Sequence, residues 1–240
     1  MSDNKQDQLN EINATLATHS LKPLAALGDH TRGKIELVEI IEIFDHSKRF
    51  FTDVQFRCLF PGGAEGRYTI RWNANSAVSD GAVMLVIVNG RLAIVRQYRP
   101  ALGTFLDELP RGFGEEFDRA QVHGRLGTMT FGDLPLATAL RELGEEVLEG
   151  ATVESVTHLG NIAENSSTHT ATPAYWLIEV TVAEVALKQR LSNITADEGI
   201  ALKLWTYQEA LRNIGTRLLD AHSIVGMALL GKRLAGLAAL

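Results

Sequence analysis

Residues 133–150 read DLPLATALRELGEEVLEG, and the middle of that run, Arg141-Glu142-Leu143-Gly144-Glu145-Glu146, gathers three carboxylates and a guanidinium into two helical turns. At about 3.6 residues per turn, Leu136, Leu140, Leu143 and Val147 form an apolar stripe, while Glu142, Glu145, Glu146 and Glu149 recur on another face. Like charges at i, i+4 cost a helix about 0.2–0.5 kcal/mol per pair. A solvated surface tolerates that cost, and a divalent cation would turn the repulsion into binding. Gly144, inside the helix, costs about 1 kcal/mol relative to alanine, which marks a point where something approaches the backbone closely. Arg141 stands four residues before Glu145 and is placed to hold it by an ion pair. Asp133 suits the N-cap, Pro135 the first turn and Gly150 the stop, so the spacing predicts one helix between them.

The elements that must carry this helix are legible as hydrophobic patterns. Residues 1–33 are polar with Leu9, Ile12 and Leu16 at helical spacing, which reads as a mobile or partner-docking helix. Residues 34–78 hold KIELVEIIEIF, FFTDVQFRCLF, a turn at Pro61-Gly62-Gly63, and RYTIRWNA, a three-stranded antiparallel unit. From residue 79 to 240 the pattern is mixed. AVMLVIV and RLAIVRQY flank Asn89-Gly90, the pair a type I′ hairpin turn favours. VESVTHLGNI and AYWLIEVTV follow as strands, then KLWTYQEAL as a strand entering a helix, and a final helix over about 218–237. Strands and helices in this order specify an α+β architecture.

At these residues the chain resembles the Nudix hydrolases, whose signature is G-x5-E-x7-R-E-U-x-E-E-x-G-U with U aliphatic. Arg141, Glu142, Leu143, Glu145 and Glu146 match it, Asp133 stands at the earlier glutamate, and Leu148 and Glu149 replace the last glycine and aliphatic residue. Upstream, RQYRPALGTFLDELPRGFGEE is similar to the subgroup that cleaves ADP-ribose and other nucleoside diphosphate sugars, where R-Q-Y-R and E-L-P-x-G lead into the box. Two glycines compete for the box position, Gly112 through E-L-P-x-G and Gly127 by counting back; the first leaves an insertion of about 15 residues before Asp133, which surface loops tolerate.

The resemblance implies an α/β/α sandwich with a mixed sheet for residues 79–240. It also implies Mg²⁺ or Mn²⁺ on the box glutamates, and hydrolysis of the diphosphate to a nucleoside monophosphate and a sugar phosphate. Hard cations take oxygen ligands, so Glu142 and Glu146, one turn apart, are the first choices, with Glu145 a third and the Arg111 carbonyl a fourth. Arg141 orients Glu145. Arg99, nearer the site loop, is the better diphosphate clamp, and Arg96 shares its side of the strand only if a bulge intervenes, since their separation of three is odd. Glu108 and Glu164 complete the expected substrate contacts. The subgroup's general base falls near Thr170, which cannot serve, leaving Glu145, Glu164 or His169 for the role. A sensor that binds such a nucleotide without cleaving it is the alternative, and GDP-mannose or a dinucleoside polyphosphate are alternative substrates.

The remaining features narrow the class. A 240-residue chain with 45% hydrophobic residues buries a full core, and its net charge of −6 with no basic block argues against nucleic acid as partner. Cys58 is single and reads as a buried thiol. No apolar run is long enough to span a bilayer and no leader pattern is present, so the expectation is a cytoplasmic protein without membrane contact. His123, His158, His169 and His222 lack metal-site spacing. Three strands with Ile35, Val38, Ile40 and Ile43 on view would seek a second copy, so a homodimer through residues 34–78 is expected.

Overall fold

The Asn89-Gly90 turn closes the hairpin on which the larger sheet is built. Both residues have positive φ, 48° and 81°, as a type I′ turn demands, and the Asn89 side chain is further pinned between the N–H and C=O of Val182. The computed structural model describes residues 3–45, 50–73, 76–77, 79–115, 134–195 and 199–238. Contacts divide the chain into two units: Met1–Asp80 with Phe113–Arg119 and Ala163–Thr172, and Gly81–Gly112 with Ala120–Ile162 and Pro173–Leu240.

In the first unit, β1 (Glu36–Asp45), β2 (Phe51–Leu59) and β3 (Glu65–Asn73) form an antiparallel sheet in that order. Alternation of buried and half-buried residues along β2 shows one face packed. What packs it is the chain's own N-terminal helix α1 (Asp3–Thr18). Its Leu9, Ile12 and Leu16 share one core with Leu37, Val54, Phe56, Cys58 and Trp72, and Ile35, Ile40 and Ile43 lie against that core. The N-terminal helix, expected to be mobile or to dock on a partner, is thus seated on its own sheet, and much of the apolar face expected to meet a second copy is covered. Ile41, Phe44 and Phe50 stay exposed. The segment 163–172 is stapled to β3, with Arg71 N–H on the Thr168 carbonyl at 2.7 Å and Thr170 N–H on the Arg71 carbonyl at 3.0 Å.

In the second unit a seven-stranded mixed sheet runs β10-β5-β4-β9-β8, with β6 added to β5 and β7 to β4. The strands are β4 (Ala82–Val88), β5 (Arg91–Arg99), β6 (Thr104–Glu108), β7 (Arg111–Gly112), β8 (Thr152–Asn161), β9 (Ala174–Thr181) and β10 (Ala201–Trp205). Among the described strands only β4 and β9 pair in parallel, and β4 is buried along nearly its whole length, as a central strand covered on both faces must be. One face carries α2 (Leu134–Glu142) and α3 (Glu184–Ser192) over Met84, Val86, Trp176 and Ile178; the other carries α4 (Tyr207–Asn213) and α5 (Ala221–Ala238) over Val83, Leu85, Ile94 and Tyr175. This is an α/β/α sandwich. A capping box between Thr206 and Glu209 starts α4. The last helix begins at Ala221 rather than 218; within it Met227 and Leu230 are buried and Leu234 is exposed, and Leu219, ahead of it, is exposed too. No helix among the described residues is long and apolar enough to cross a membrane.

Candidate active site

The acidic helix is not one regular α-helix. After Glu142 the ladder widens into a π turn over Leu143–Val147, closed by the Leu148 N–H on the Leu143 carbonyl at 2.9 Å, and Leu148 then turns extended. The expected continuation to Gly150 is corrected: Gly150 lies in the following turn with φ 78°, and Glu149 stands beyond the helix, off the acidic face. Gly144 is corrected too. A Cβ there would meet nothing within 4 Å, so no close approach requires the glycine. Its effect is conformational, since it weakens the α-helical alternative by about 1 kcal/mol where the ladder changes. Leu136, Ala139, Leu143 and Val147 anchor the element in the core, each large side chain contributing roughly 1.5–3 kcal/mol.

This geometry separates the three glutamates. Glu142 and Glu146 are buried, whereas the Glu145 side chain is 58% exposed. Arg141 spans two of them, one nitrogen 2.8 Å from Glu142 Oε1 and another 2.8 Å from Glu145 Oε2. Glu146 faces the strand side, where its Oε2 accepts the Arg111 backbone N–H at 2.9 Å, and its own carbonyl accepts a guanidinium N–H of Arg190 from α3 at 2.6 Å. Burial lowers the Arg190 pKa, with the Glu146 charge opposing. Gly112 sits against Glu142 so closely that a Cβ would fall 1.7 Å from Glu142 Oε1. Of the two glycines in contention, Gly112 therefore approaches the box helix; Gly127, Asp133 and most of the inserted segment lie outside the described residues, as does His123.

Across from the helix, a charged network holds the E-L-P-R-G segment. Arg99 pairs with the buried Glu108 through Nε at 3.0 Å and through Nη2. Hydrogen bonding to Glu108 raises the Arg99 pKa against the cost of burial, with Asp220 and Glu146 adding charge. Arg111 reaches Glu108 at 3.4 Å and Asp220 at 2.8 Å. Asp220 caps α5 by accepting the Ser223 N–H at 2.9 Å. Burial alone would raise its pKa, but the Arg111 charge and the Ser223 hydrogen bonds bring it below the usual range. Asp220 and Arg190 were not foreseen, because they join the network across more than forty residues of sequence and no local motif announces them.

The strand register separates the two candidate clamps. β5 pairs with β6 regularly, Val95 opposite Glu108 and Arg96 opposite Asp107, with no bulge. Arg99 shares a face with Glu108, and Arg96 points to the other face, 3.8 Å from Asp107. Glu164 lies in the first unit, bonded to His169 Nδ1 at 3.1 Å. The other discounted residues have structural partners: His158 packs on Trp176, His222 bonds the Tyr175 hydroxyl at 2.8 Å, and Cys58 is buried, which pushes its thiol pKa up.

Among the described residues, Asp29, His30 and Glu36 form the one set of three metal-ligating groups whose ligand atoms all lie within 4.8 Å. Glu36 is already compensated: Lys5 and His30 both approach to 2.6 Å. Burial alone would raise its pKa, yet these hydrogen bonds bring it down to about 2.

A mixed sheet between two helical layers, with an acidic helix over β4 and β7, is a Nudix-like fold. A solved structure described as "Crystal structure of ADP compounds hydrolase" matches 84% of this chain and 96% of its own, with a TM-score of 0.54 at 15% sequence identity. At that identity the likeness speaks to the fold. No family model matches the sequence, and no curated protein does.

Proposed function

We propose that the chain is a metal-dependent pyrophosphohydrolase of the Nudix type, splitting the diphosphate of a nucleoside diphosphate sugar, with ADP-ribose the leading substrate. The observation that carries this reading is the joint between the box helix and the E-L-P-R-G strand. There, Glu142 presses on Gly112 and Glu146 grips the Arg111 N–H, which brings two buried carboxylates beside a main-chain segment with its own carbonyl donors. Oxygen donors of this kind fit Mg²⁺ or Mn²⁺, held by Glu142 and Glu146 with Glu145 and the Arg111 carbonyl as further ligands. Such an ion, when bound, supplies neutralising charge for the phosphoryl oxygens and acidifies an attacking water. The chain's residues do the rest. Arg141 holds Glu145 by Oε2, which directs Oε1 to take the proton of the water. Arg99, fixed by Glu108, presents its remaining guanidinium edge to the diphosphate. Arg96, on the opposite face of the sheet, has no place in this arrangement.

A homodimer through the first unit is part of the proposal, now resting on exposed Ile41, Phe44 and Phe50 rather than on the face that α1 covers. Sedimentation at micromolar concentration tests it, a 26 kDa species excluding it. The activity is tested by a panel of ADP-ribose, GDP-mannose and a dinucleoside polyphosphate with Mg²⁺, with Mn²⁺ and with EDTA. Nucleoside monophosphate release that needs the metal supports hydrolysis; tight nucleotide binding without turnover favours the sensor reading.

A further inference from the structure

On the sheet face opposite the acidic helix, one carboxylate is surrounded by more positive charge than it can use. Asp107 is 2% exposed, and an isolated buried carboxylate is costly unless paired. One cation would meet that need. Three converge on it: Lys203 Nζ at 2.7 Å from Oδ1, Arg217 at 2.6 Å and 2.8 Å from Oδ2, and Arg96 at 3.8 Å from Oδ1. They come from β10, from the loop before α5 and from β5, so the tertiary fold assembles the cluster. Among the described residues, no other carboxylate lies within ion-pair distance of any of the three. Two guanidiniums and an ammonium offer about thirteen N–H donors against about four acceptor sites on a single carboxylate.

The surplus is accessible and fixed in place. The Arg96 and Arg217 side chains are 41% and 48% exposed. Arg217 stacks over Trp205 at 5.0 Å and Arg96 lies over Phe105 at 5.4 Å, with Tyr98 edge-on to Phe105 at 5.3 Å. Rings of this kind hold guanidinium planes in one orientation and lower the entropy lost when they grip a ligand. A buried carboxylate at the centre then acts as the pin that keeps three cations within a few ångströms of one another despite their repulsion. In a chain of net charge −6, such a local excess of two positive charges requires a reason beyond solubility.

We propose that Arg96, Lys203 and Arg217 form a binding site for a polyphosphate anion, the phosphate chain of a small polyphosphate or nucleotide. It lies on the sheet face away from the box helix and is independent of the hydrolytic site. Two forks and one ammonium around a single point match adjacent phosphoryl groups, each of which accepts paired N–H bonds from an arginine. The site needs no divalent metal, which distinguishes it from the box.

The test is calorimetric titration of the full chain with sodium tripolyphosphate in EDTA. Arg217→Gln and Lys203→Gln should each weaken binding about tenfold or more, the loss of one charged contact worth about 1.4 kcal/mol. Arg217→Lys should weaken it less than Arg217→Gln, and Lys188→Gln, on the exposed side of α3, should leave it unchanged. Arg217→Gln leaves Lys203 on Asp107, so the variant is expected to fold, checked by its near-ultraviolet circular dichroism. Absence of heat with the wild-type chain overturns the proposal, as does binding lost in Lys188→Gln but kept in Arg217→Gln. Binding of a single-stranded oligonucleotide without binding of tripolyphosphate also overturns it.

Discussion

Substituting Gly112 by alanine probes the joint between strand and acidic helix with a single methyl group. The new Cβ would stand 1.7 Å from Glu142 Oε1, 1.9 Å from its Cδ and 2.5 Å from its Cγ, so the Glu142 side chain must leave its position. The backbone at Gly112 is outside the positive-φ region, and the cost is steric alone. Overpacking a closed site costs about 1–3 kcal/mol; here the displaced atoms belong to the end of a side chain, which puts the expectation at about 1–2 kcal/mol. For a unit of this size that is a fall in Tm of about 2–8 °C. Activity should suffer far more. Displacing Glu142 breaks its 2.8 Å contact with Arg141 and moves a proposed metal ligand, and loss of one such electrostatic group costs about 10²–10³ in kcat. The assay is AMP release from ADP-ribose at saturating Mg²⁺, with a thermal melt of the same sample. A Gly112→Ala protein that melts within this range and turns over at the wild-type rate would refute the reasoning, because it would show that the Glu142 position is immaterial.

Arg190→Gln should lower Tm by a few degrees through loss of a charged hydrogen bond worth about 1.5–3 kcal/mol. Because that bond anchors the Glu146 carbonyl, the variant should also need several-fold more Mg²⁺ for half-maximal rate, read from a metal titration; an unchanged requirement would leave Arg190 with stability alone. Glu164→Gln and His169→Ala should each lose less than about tenfold in kcat, short of the roughly 10²–10⁴ a general base contributes, and a thousandfold loss at unchanged substrate affinity would move the base from Glu145 to that loop. The Glu36 carboxyl, brought down to about 2, contributes stability that is fully present above the unfolded-state value near 4.3 and is lost as pH falls through the folded value. Denaturant melts between pH 5 and 2 should therefore show a shallower decline for Glu36→Gln than for wild type.

The sequence carried the architecture where short-range chemistry decides it. Asn89-Gly90 fixes a hairpin through backbone conformations few residue pairs adopt, and the alternation along β2 announces a one-sided sheet. The split between Arg96 and Arg99 was legible only on condition that no bulge intervenes, a condition the regular register of β5 on β6 meets. What periodicity could not reveal was the change of ladder after Glu142. Glutamates at i, i+3 and i+4 suit an α-helix and a π turn alike, and the choice falls to tertiary partners: Arg190 on the Glu146 carbonyl, the Arg111 N–H on its carboxylate. Asp220, Lys203 and Arg217 were illegible for the same reason, each being an ordinary charged residue until the fold sets it beside a buried acid. For α1, three apolar residues showed which face packs but not against what.

The measurement that bears most directly on the central claim is hydrolysis of ADP-ribose by Glu146→Gln and Glu142→Gln at saturating Mg²⁺, followed as AMP and sugar phosphate by ³¹P NMR. Both side chains are buried at the joint with the E-L-P-R-G strand. The account predicts that each variant stays folded, with melting close to wild type in metal-free buffer, and loses kcat by a factor of hundreds or more. Full turnover by both variants would contradict it.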